Sequence, residues 1–290
     1  MKPSTHVNID GDVICYAVGF ASQSSWYVVD GKRFEKKADA HSYVERYCLP
    51  VDDVVVEIEP EPIAHCLSSV KRLIQRIIKS SKAHTATILL TGSGNFREEI
   101  AMIQKYKGNR TDNTKPVHYQ AIWDYLIMVH GAEVCEGEEA DDQLSIRAVT
   151  KGDTIATVDK DLNNTAGWHY NWQRDELYHV NEVEADRNFY TQLLTGDATD
   201  HIPGLKRITG KMASASKKAP IQEMTDPRAM YVHVKNVYMD AAKDDDQSYN
   251  NDGMRQLEID ADITLTEIGR LLWMRREENE LWLPPTNKQQ

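Results

Sequence analysis

Cysteine is scarce in this chain. Its four residues (Cys15, Cys48, Cys66 and Cys135) in 290 form no Cys-x-x-Cys pair, and no histidine stands at zinc-ligand spacing. That argues against a disulfide-stapled scaffold or a zinc centre and leaves reduced, mostly buried thiols. Long apolar runs are also missing: none approaches the roughly 18 residues a membrane helix needs. The first residues, Met1 to His6, lead into a short strand without the apolar stretch of a signal peptide, so the expected location is cytoplasmic. Net positive charge is the third absence, with 34 Lys and Arg against 45 Asp and Glu, a balance of −11. An acidic chain makes a poor general coat for nucleic acid. The basic residues are clustered, however, and a local positive path can still hold phosphate. What is present, 41% hydrophobic and 27% charged residues, describes an ordinary globular chain with room for a sizeable core.

Strand and helix signals alternate through the first half. His6 to Ile9, Thr85 to Leu90, Ala132 to Val134 and Asp153 to Val158 read as strands. Helical spacing covers Val13 to Phe20, Ile63 to Lys79, Val117 to His130 and the stretch after Glu138. In Val117 to His130, Ile122, Leu126 and Val129 form the expected inner stripe. Trp26 to Phe34, turning at Asp30-Gly31, reads as a hairpin, and residues 21–62 as a peripheral excursion. This alternation predicts an α/β fold with a mostly parallel sheet. Beyond residue 185 the pattern is mainly helical: Phe189 to Thr195, Arg228 to Ala242 and Leu265 to Glu278. Lys243 to Gly253 is an aspartate-rich stretch assigned no structure, the segment Leu281 to Pro285 is expected to pack back on the body, and Thr286 to Gln290 to fray.

The chemistry lies in the acids. Asp10, Asp159 and Asp161 each follow a predicted strand end, the edge where open α/β sheets gather ligands. Glu139, Asp141 and Asp142 open a helix from the same edge, and Asp197 and Asp200 stand three apart in the helical part. Any one pair is adequately explained as first-turn acids favouring a helix dipole or as a turn. Four such clusters at one edge are not, because crowded carboxylates resist ionising unless cations compensate them. Hard divalent ions with oxygen ligands, Mg²⁺ or Mn²⁺, suit that set, and two of them serve phosphodiester hydrolysis.

Five motifs then fall in order: Ile9-Asp10-Gly11, Tyr106-Lys107-Gly108-Asn109-Arg110, Glu139-Ala140-Asp141-Asp142, Thr157-Val158-Asp159-Lys160-Asp161 and Gly196-Asp197-Ala198-Thr199-Asp200. Ile202-Pro203-Gly204-Leu205 and Ile208-Thr209-Gly210-Lys211 follow. Together they resemble the 5′-nuclease family of flap endonucleases and phage 5′→3′ exonucleases, over residues 6–20 and 85–213. The resemblance implies a PIN-like domain at 1–185, with a basic arch-like segment at 96–116. It implies a helical duplex-binding part at 186–290 containing a helix–three-turn–helix element. It also implies two divalent ions, held by Asp10, Glu139, Asp141 and Asp142 on one side and by Asp159, Asp161, Asp197 and Asp200 on the other, and a K⁺ at the turn. The expected partner is duplex DNA with a 5′ end or flap, or an RNA/DNA hybrid. The expected protein is a monomer with no membrane role.

Two departures stand out. Where the family places an aspartate after the strand preceding the basic segment, this chain has Gly92, with Asp12 as a neighbouring acid that could compensate. Ile208-Thr209-Gly210 also lacks one glycine of the usual Gly-x-Gly turn.

Arg97, Lys107 and Arg110 are expected at the scissile phosphate, where cations stabilise charge growing in the transition state. Lys107, Arg110 and Asp141 are the expected catalytic residues, and Tyr106 is expected to stack on an unpaired base. Lys206, Arg207 and Lys211 are expected on duplex phosphates, which position a duplex without reading it. The competing readings are a PIN-type endoribonuclease and a non-catalytic, structure-specific DNA-binding protein.

Overall fold

The computed structural model describes residues 2–110, 114–243 and 251–285. In chain order the elements are β1 (His6–Asp10), α1 (Gly11–Ala21), β2 (Gln23–Val29), β3 (Lys32–Phe34), α2 (Lys37–Tyr47), β4 (Val55–Pro60), α3 (Ile63–Ser80) and β5 (Thr85–Thr91). Then come α4 (Phe96–Ile100), α5 (Tyr119–His130), β6 (Glu133–Cys135), α6 (Ala140–Lys151), β7 (Thr154–Ala156), β8 (Gly167–Asn171) and β9 (Glu176–Val180). The chain ends in α7 (Glu182–Thr195), α8 (Leu205–Thr209), α9 (Ala215–Glu223), α10 (Pro227–Ala242) and α11 (Asn251–Leu272). Among the described residues no helix is long and apolar enough to cross a membrane.

The chain divides into two compact units, one of Met1–Asp10, Ile77–Asn113 and Glu133–Gln290, the other of Gly11–Arg76 and Thr114–Ala132. The first unit carries a six-stranded sheet ordered β6-β5-β1-β7-β8-β9. Strands β6, β5, β1, β7 and β8 run parallel and only β9 is antiparallel, so the architecture is α/β as expected. Parallel strands buried on both faces read as near-continuous apolar runs. Ile88, Leu89 and Leu90 in β5, with Ile155 and Ala156 in β7, are such runs and are buried. Helix α6 lays Leu144 and Ala148 against Leu89, Ile155 and Leu162 in one cluster.

The helices after residue 185 share this first unit with the sheet, so residue 185 does not separate the two units. The ties are specific: Asn188 Nδ2 donates to Asn163 O (3.1 Å), and Gln192 Nε2 donates to Asp161 Oδ1 (2.6 Å). Phe189, Leu193, Val234, Leu265 and Ile268 build the helical core. Trp282 does pack back: a Cβ at Gly269 would meet its ring at 2.2 Å, so that helix position has room only for glycine.

The second unit holds α1, α2, α5 and a three-stranded antiparallel sheet ordered β3-β2-β4. Its hairpin turns at Asp30 (φ 51°) and Gly31 (φ 69°), the left-handed pair a type I′ turn requires. In α5, Ile122 and Leu126 are buried as expected, but Val129 is 61% exposed. Three residues from Leu126, it falls at the margin of the apolar stripe, and α5 ends one residue later at His130, capped by Gly131 in the left-handed conformation.

Three further differences concern the edges of prediction. Helix α11 begins at Asn251 rather than Leu265, while residues 244–250 of the aspartate-rich stretch and residues 286–290 lie outside the described set. Helix α7 starts at Glu182, where Asn181 Oδ1 accepts from Glu184 N (3.0 Å) and Glu184 Oε2 accepts from Asn181 N (2.9 Å), a capping box. The β8–β9 hairpin has no counterpart in the sequence reading. Its turn uses Asp175 at positive φ rather than an Asn-Gly or Asp-Gly signal.

Candidate active site

Because β1, β5 and β7 are parallel neighbours, their carboxyl ends open on one edge. Asp10 is the last residue of β1 and is 2% exposed, accepting from Thr157 Oγ1 (2.8 Å) just past β7. Thr157 Oγ1 accepts in turn from Asp159 N (3.0 Å), and Asp159 Oδ1 accepts from Asp161 N (2.8 Å). One short run of chain, 157–161, thus carries Asp159 and Asp161 and ties them to Asp10 at the end of β1. Thr91 Oγ1, at the end of β5, accepts from Ala140 N (3.0 Å) and fixes the start of α6, which carries Glu139 at its N-cap and Asp141 in its first turn.

Asp197 and Asp200 lie on a tight loop between α7 and α8. Gly196 sits at φ 67°, and Asp197 and Ile202 exchange two backbone hydrogen bonds (3.0 and 2.7 Å). A Cβ at Gly196 would stand 2.4 Å from Gly204 N, and one at Gly204 2.2 Å from Thr195 C. Two backbones cross where only glycines fit, so this loop has a single shape.

Glu139, Asp141, Asp159, Asp161, Asp197 and Asp200 line one cleft with Arg97, Tyr106 and Gln192. Their electrostatics divide it. Burial, and then the charges of Asp10, Asp159 and Glu139, raise the Asp141 pKa well above the usual carboxylate range. Asp161 is pushed up to about 7 by burial, by a hydrogen bond with Asp197 and by the Asp159 and Asp197 charges. At Glu139 burial opposes the charge, but Lys107 and Arg97 outweigh it and hold the pKa below the usual value. Lys107 forms an ion pair with Glu139 and approaches Asp200 Oδ2 at 3.7 Å, and Arg110 pairs with Asp200 Oδ1 at 2.5 Å.

Three expected roles need correction. Asp142, one residue from Asp141, is fully buried, and both its oxygens accept from Arg97 (2.5 and 2.8 Å). No oxygen of Asp142 faces the cleft for an ion. Arg97 is 1% exposed and also donates to Leu271 O and Trp273 O (both 2.9 Å) at the end of α11. It is a buried anchor, not a phosphate contact. Tyr106 is 4% exposed, and its hydroxyl donates to Glu139 Oε2 (3.0 Å) and Asp200 Oδ2 (2.8 Å), so its ring offers no stacking face.

Lys206 and Arg207 stand exposed on α8, and Lys211 follows at an exposed turn after Gly210 (φ 76°). Residues 210–214 separate α8 from α9. Asp12 belongs to the second unit, where its charge helps raise the Tyr119 pKa. Position 92 is itself informative: a Cβ there would stand 2.6 Å from Glu136 Oε1 and 2.7 Å from Cys135 O. Glu136, which accepts from Ser93 N (2.9 Å) and Ser93 Oγ (2.6 Å), puts its carboxylate where a side chain at 92 would begin. The sequence gives Thr157 only as part of an acid motif, without its hydrogen bonds to Asp10 and Asp159, and gives no signal for Gln192 at Asp161.

The donor set fits hard divalent cations, being all carboxylate oxygen with like charges already pressing each other's pKa values up. Among the described residues no three His, Cys, Asp or Glu side chains are drawn together tightly enough to hold a metal as they stand. At Glu139 and Asp200 the oxygens are engaged by Lys107, Arg110 and Tyr106.

No protein-family model matches the sequence, and no curated protein matches it. Solved structures do. The bacteriophage T5 D15 protein co-crystallised with metal ions is 15% identical, with a TM-score of 0.52 over 92% of this chain and 88% of that one. A mutant of T5 5′-exonuclease is 13% identical, with a TM-score of 0.52 over 93% of this chain and 88% of that one. The fold of this chain is therefore the 5′-nuclease fold.

Proposed function

We propose that this chain is a divalent-metal-dependent 5′→3′ nuclease that hydrolyses phosphodiester bonds of duplex DNA from 5′ ends, with flap or RNA-primer removal as related activities in phage DNA replication. The observation that carries the reading is the convergence of six acids from three separate chain segments on one cleft, with Lys107 and Arg110 engaging its acids. Similarity in fold to a protein named 5′-exonuclease, and to one co-crystallised with metal ions, supports it.

Asp10, Glu139, Asp141 and Asp159 would hold one ion, and Asp161, Asp197 and Asp200 a second, with K⁺ at the Gly210 turn. Bound there, the ions would supply charge compensation and Lewis-acid activation of water and phosphate. The protein's own part is positional. Thr157 fixes Asp10 and the Asp159 turn, the Gly196–Gly204 crossing fixes Asp197 and Asp200, and Gln192 orients Asp161. Lys107 and Arg110 bring positive charge to the scissile phosphate and the departing oxygen. Lys206 and Arg207 on α8 and Lys211 in the α8–α9 connection contact duplex phosphates, as in a helix–three-turn–helix element.

Asp141→Asn tests this directly. Cleavage of 5′-labelled duplex should fall by roughly 10³-fold or more while duplex affinity stays within about twofold, since metal-centred charge stabilisation contributes several kcal/mol to such reactions. Activity close to wild type would rule the assignment out. A non-catalytic DNA-binding protein draws its support from Gly92; cleavage of any substrate with Mg²⁺ or Mn²⁺, abolished in Asp141→Asn, excludes it.

A further inference from the structure

We propose that Tyr106 is a positioning residue whose hydroxyl holds the Glu139 and Asp200 carboxylates in register for divalent-ion binding. The proposal rests on the nuclease reading and assigns to Tyr106 a task different from base stacking.

Glu139 and Asp200 come from distant parts of the chain, the N-cap of α6 and the loop after α7, and carry like charges. Lys107 draws both by charge, pairing with Glu139 and standing 3.7 Å from Asp200 Oδ2, but an ammonium on a flexible stem fixes the direction of neither oxygen. The Tyr106 hydroxyl stands between them, 3.0 Å from Glu139 Oε2 and 2.8 Å from Asp200 Oδ2. It has one hydrogen and two acceptors, so the hydrogen is shared and both oxygens are drawn to the same point.

The hydroxyl is itself held. Residues 104–110 form a strap tied to the Asp197–His201 loop. Lys107 N donates to Asp200 O (2.9 Å), Gln104 Nε2 to His201 O (2.5 Å) and Asn109 Nδ2 to Ala198 O (2.8 Å). Lys107 itself adopts φ 52°, in the left-handed region. The Tyr106 ring belongs to the apolar cluster containing Phe189, Ile202 and Leu272. A rigid ring carrying one polar atom at its tip is well suited to fixing a point between two chain segments.

Groups that orient carboxylate or histidine ligands typically change metal affinity 10–100-fold when removed. Tyr106→Phe retains the ring and its packing and removes only the hydroxyl. Mn²⁺ binding by calorimetry and by the electron paramagnetic signal of free Mn²⁺ should weaken about 10- to 100-fold in this variant. The unfolding temperature should stay within a few degrees of wild type, and kcat should fall with the KM for duplex unchanged. Tyr106→Ala, which also empties the apolar site, should lose both stability and Mn²⁺ affinity. The conservative variant therefore isolates the hydroxyl.

Mn²⁺ affinity and kcat in Tyr106→Phe equal to wild type would overturn the proposal. If wild type binds Mn²⁺, and Glu139→Gln and Asp200→Asn weaken that binding while Tyr106→Phe does not, only the Tyr106 role fails. If wild type binds no Mn²⁺ that those carboxylate variants affect, the nuclease reading fails and this proposal falls with it.

Discussion

Asp141 and Asp142 are chain neighbours in the same helical turn, yet they belong to opposite regimes. Asp142 sits in a closed knot: fully buried, both oxygens on Arg97, with Arg275 N donating to Oδ1 at 3.2 Å. Around it Arg275 pairs with Glu138 (2.8 Å), and both guanidinium groups lie over the Phe96 ring, Arg97 at 4.6 Å and Arg275 at 3.7 Å from its centroid. Asp141 faces the cleft toward Asp10, Asp159 and Glu139, and its pKa is raised because like charge surrounds it. The same residue type in adjacent positions thus serves stability on one face of a helix and stored electrostatic tension on the other. The lesson is that an acid's partner, not its motif, decides its role.

The sharpest way to break the knot is Arg97→Ala. It would leave Asp142 buried without a counter-charge and the carbonyls of Leu271 and Trp273, at the end of α11, without their donor. Removing one partner of a buried pair costs about 3–5 kcal/mol. Denaturant unfolding should show that loss, and the double change Arg97→Met with Asp142→Leu should recover much of it.

On the cleft side, Lys107→Met should lower cleavage about 10²- to 10³-fold, the effect of removing one charge-stabilising group. It should also raise Mn²⁺ affinity, because Glu139 loses a competing cation. Cleavage and metal affinity moving in opposite directions mark a residue that shares carboxylates with the ions, whereas a parallel fall would mark a structural one.

A smaller effect separates the regimes by pH. The Asp161 pKa is about 7 in the folded protein against an ordinary value of 3.8. The folded state therefore binds the extra proton more tightly than the unfolded state does. That stability is fully present below about pH 4 and is lost as pH rises through 7. Metal-free protein should accordingly lose stability between pH 4 and 7. Asp161→Asn should flatten the loss, and Mn²⁺ should oppose it most at the alkaline end. Smallest of all, Lys206→Ala should weaken duplex binding evenly across sequences and reduce the slope of log affinity against log salt by about one.

Much of this was legible in the sequence because buried parallel strands advertise themselves. Asp10 and Asp159 could be placed at one sheet edge from apolar runs alone, and Glu139 and Asp141 from the helix that follows. The fold class followed from the same alternation. Arg97 was not legible: an arginine in a basic segment reads as a phosphate ligand, and only tertiary structure puts it beneath Asp142. Tyr106 failed for the same reason, since a tyrosine's ring and hydroxyl compete for its role and burial decides between them. The β8–β9 hairpin and the early start of α11 were hidden because neither carries a local signal strong enough to stand apart from tertiary context. Glu136 was hidden too, since only the folded chain shows its carboxylate standing where a side chain at position 92 would begin.

The most direct measurement of the central claim sizes the products from 5′-labelled blunt duplex, 5′-flap and single-stranded DNA incubated with Mg²⁺, with Mn²⁺ and with chelator. The account predicts short products from the duplex or flap whenever either ion is present, and none with chelator. Cleavage that persists in chelator, or tight duplex binding with no product under any ion, would contradict it.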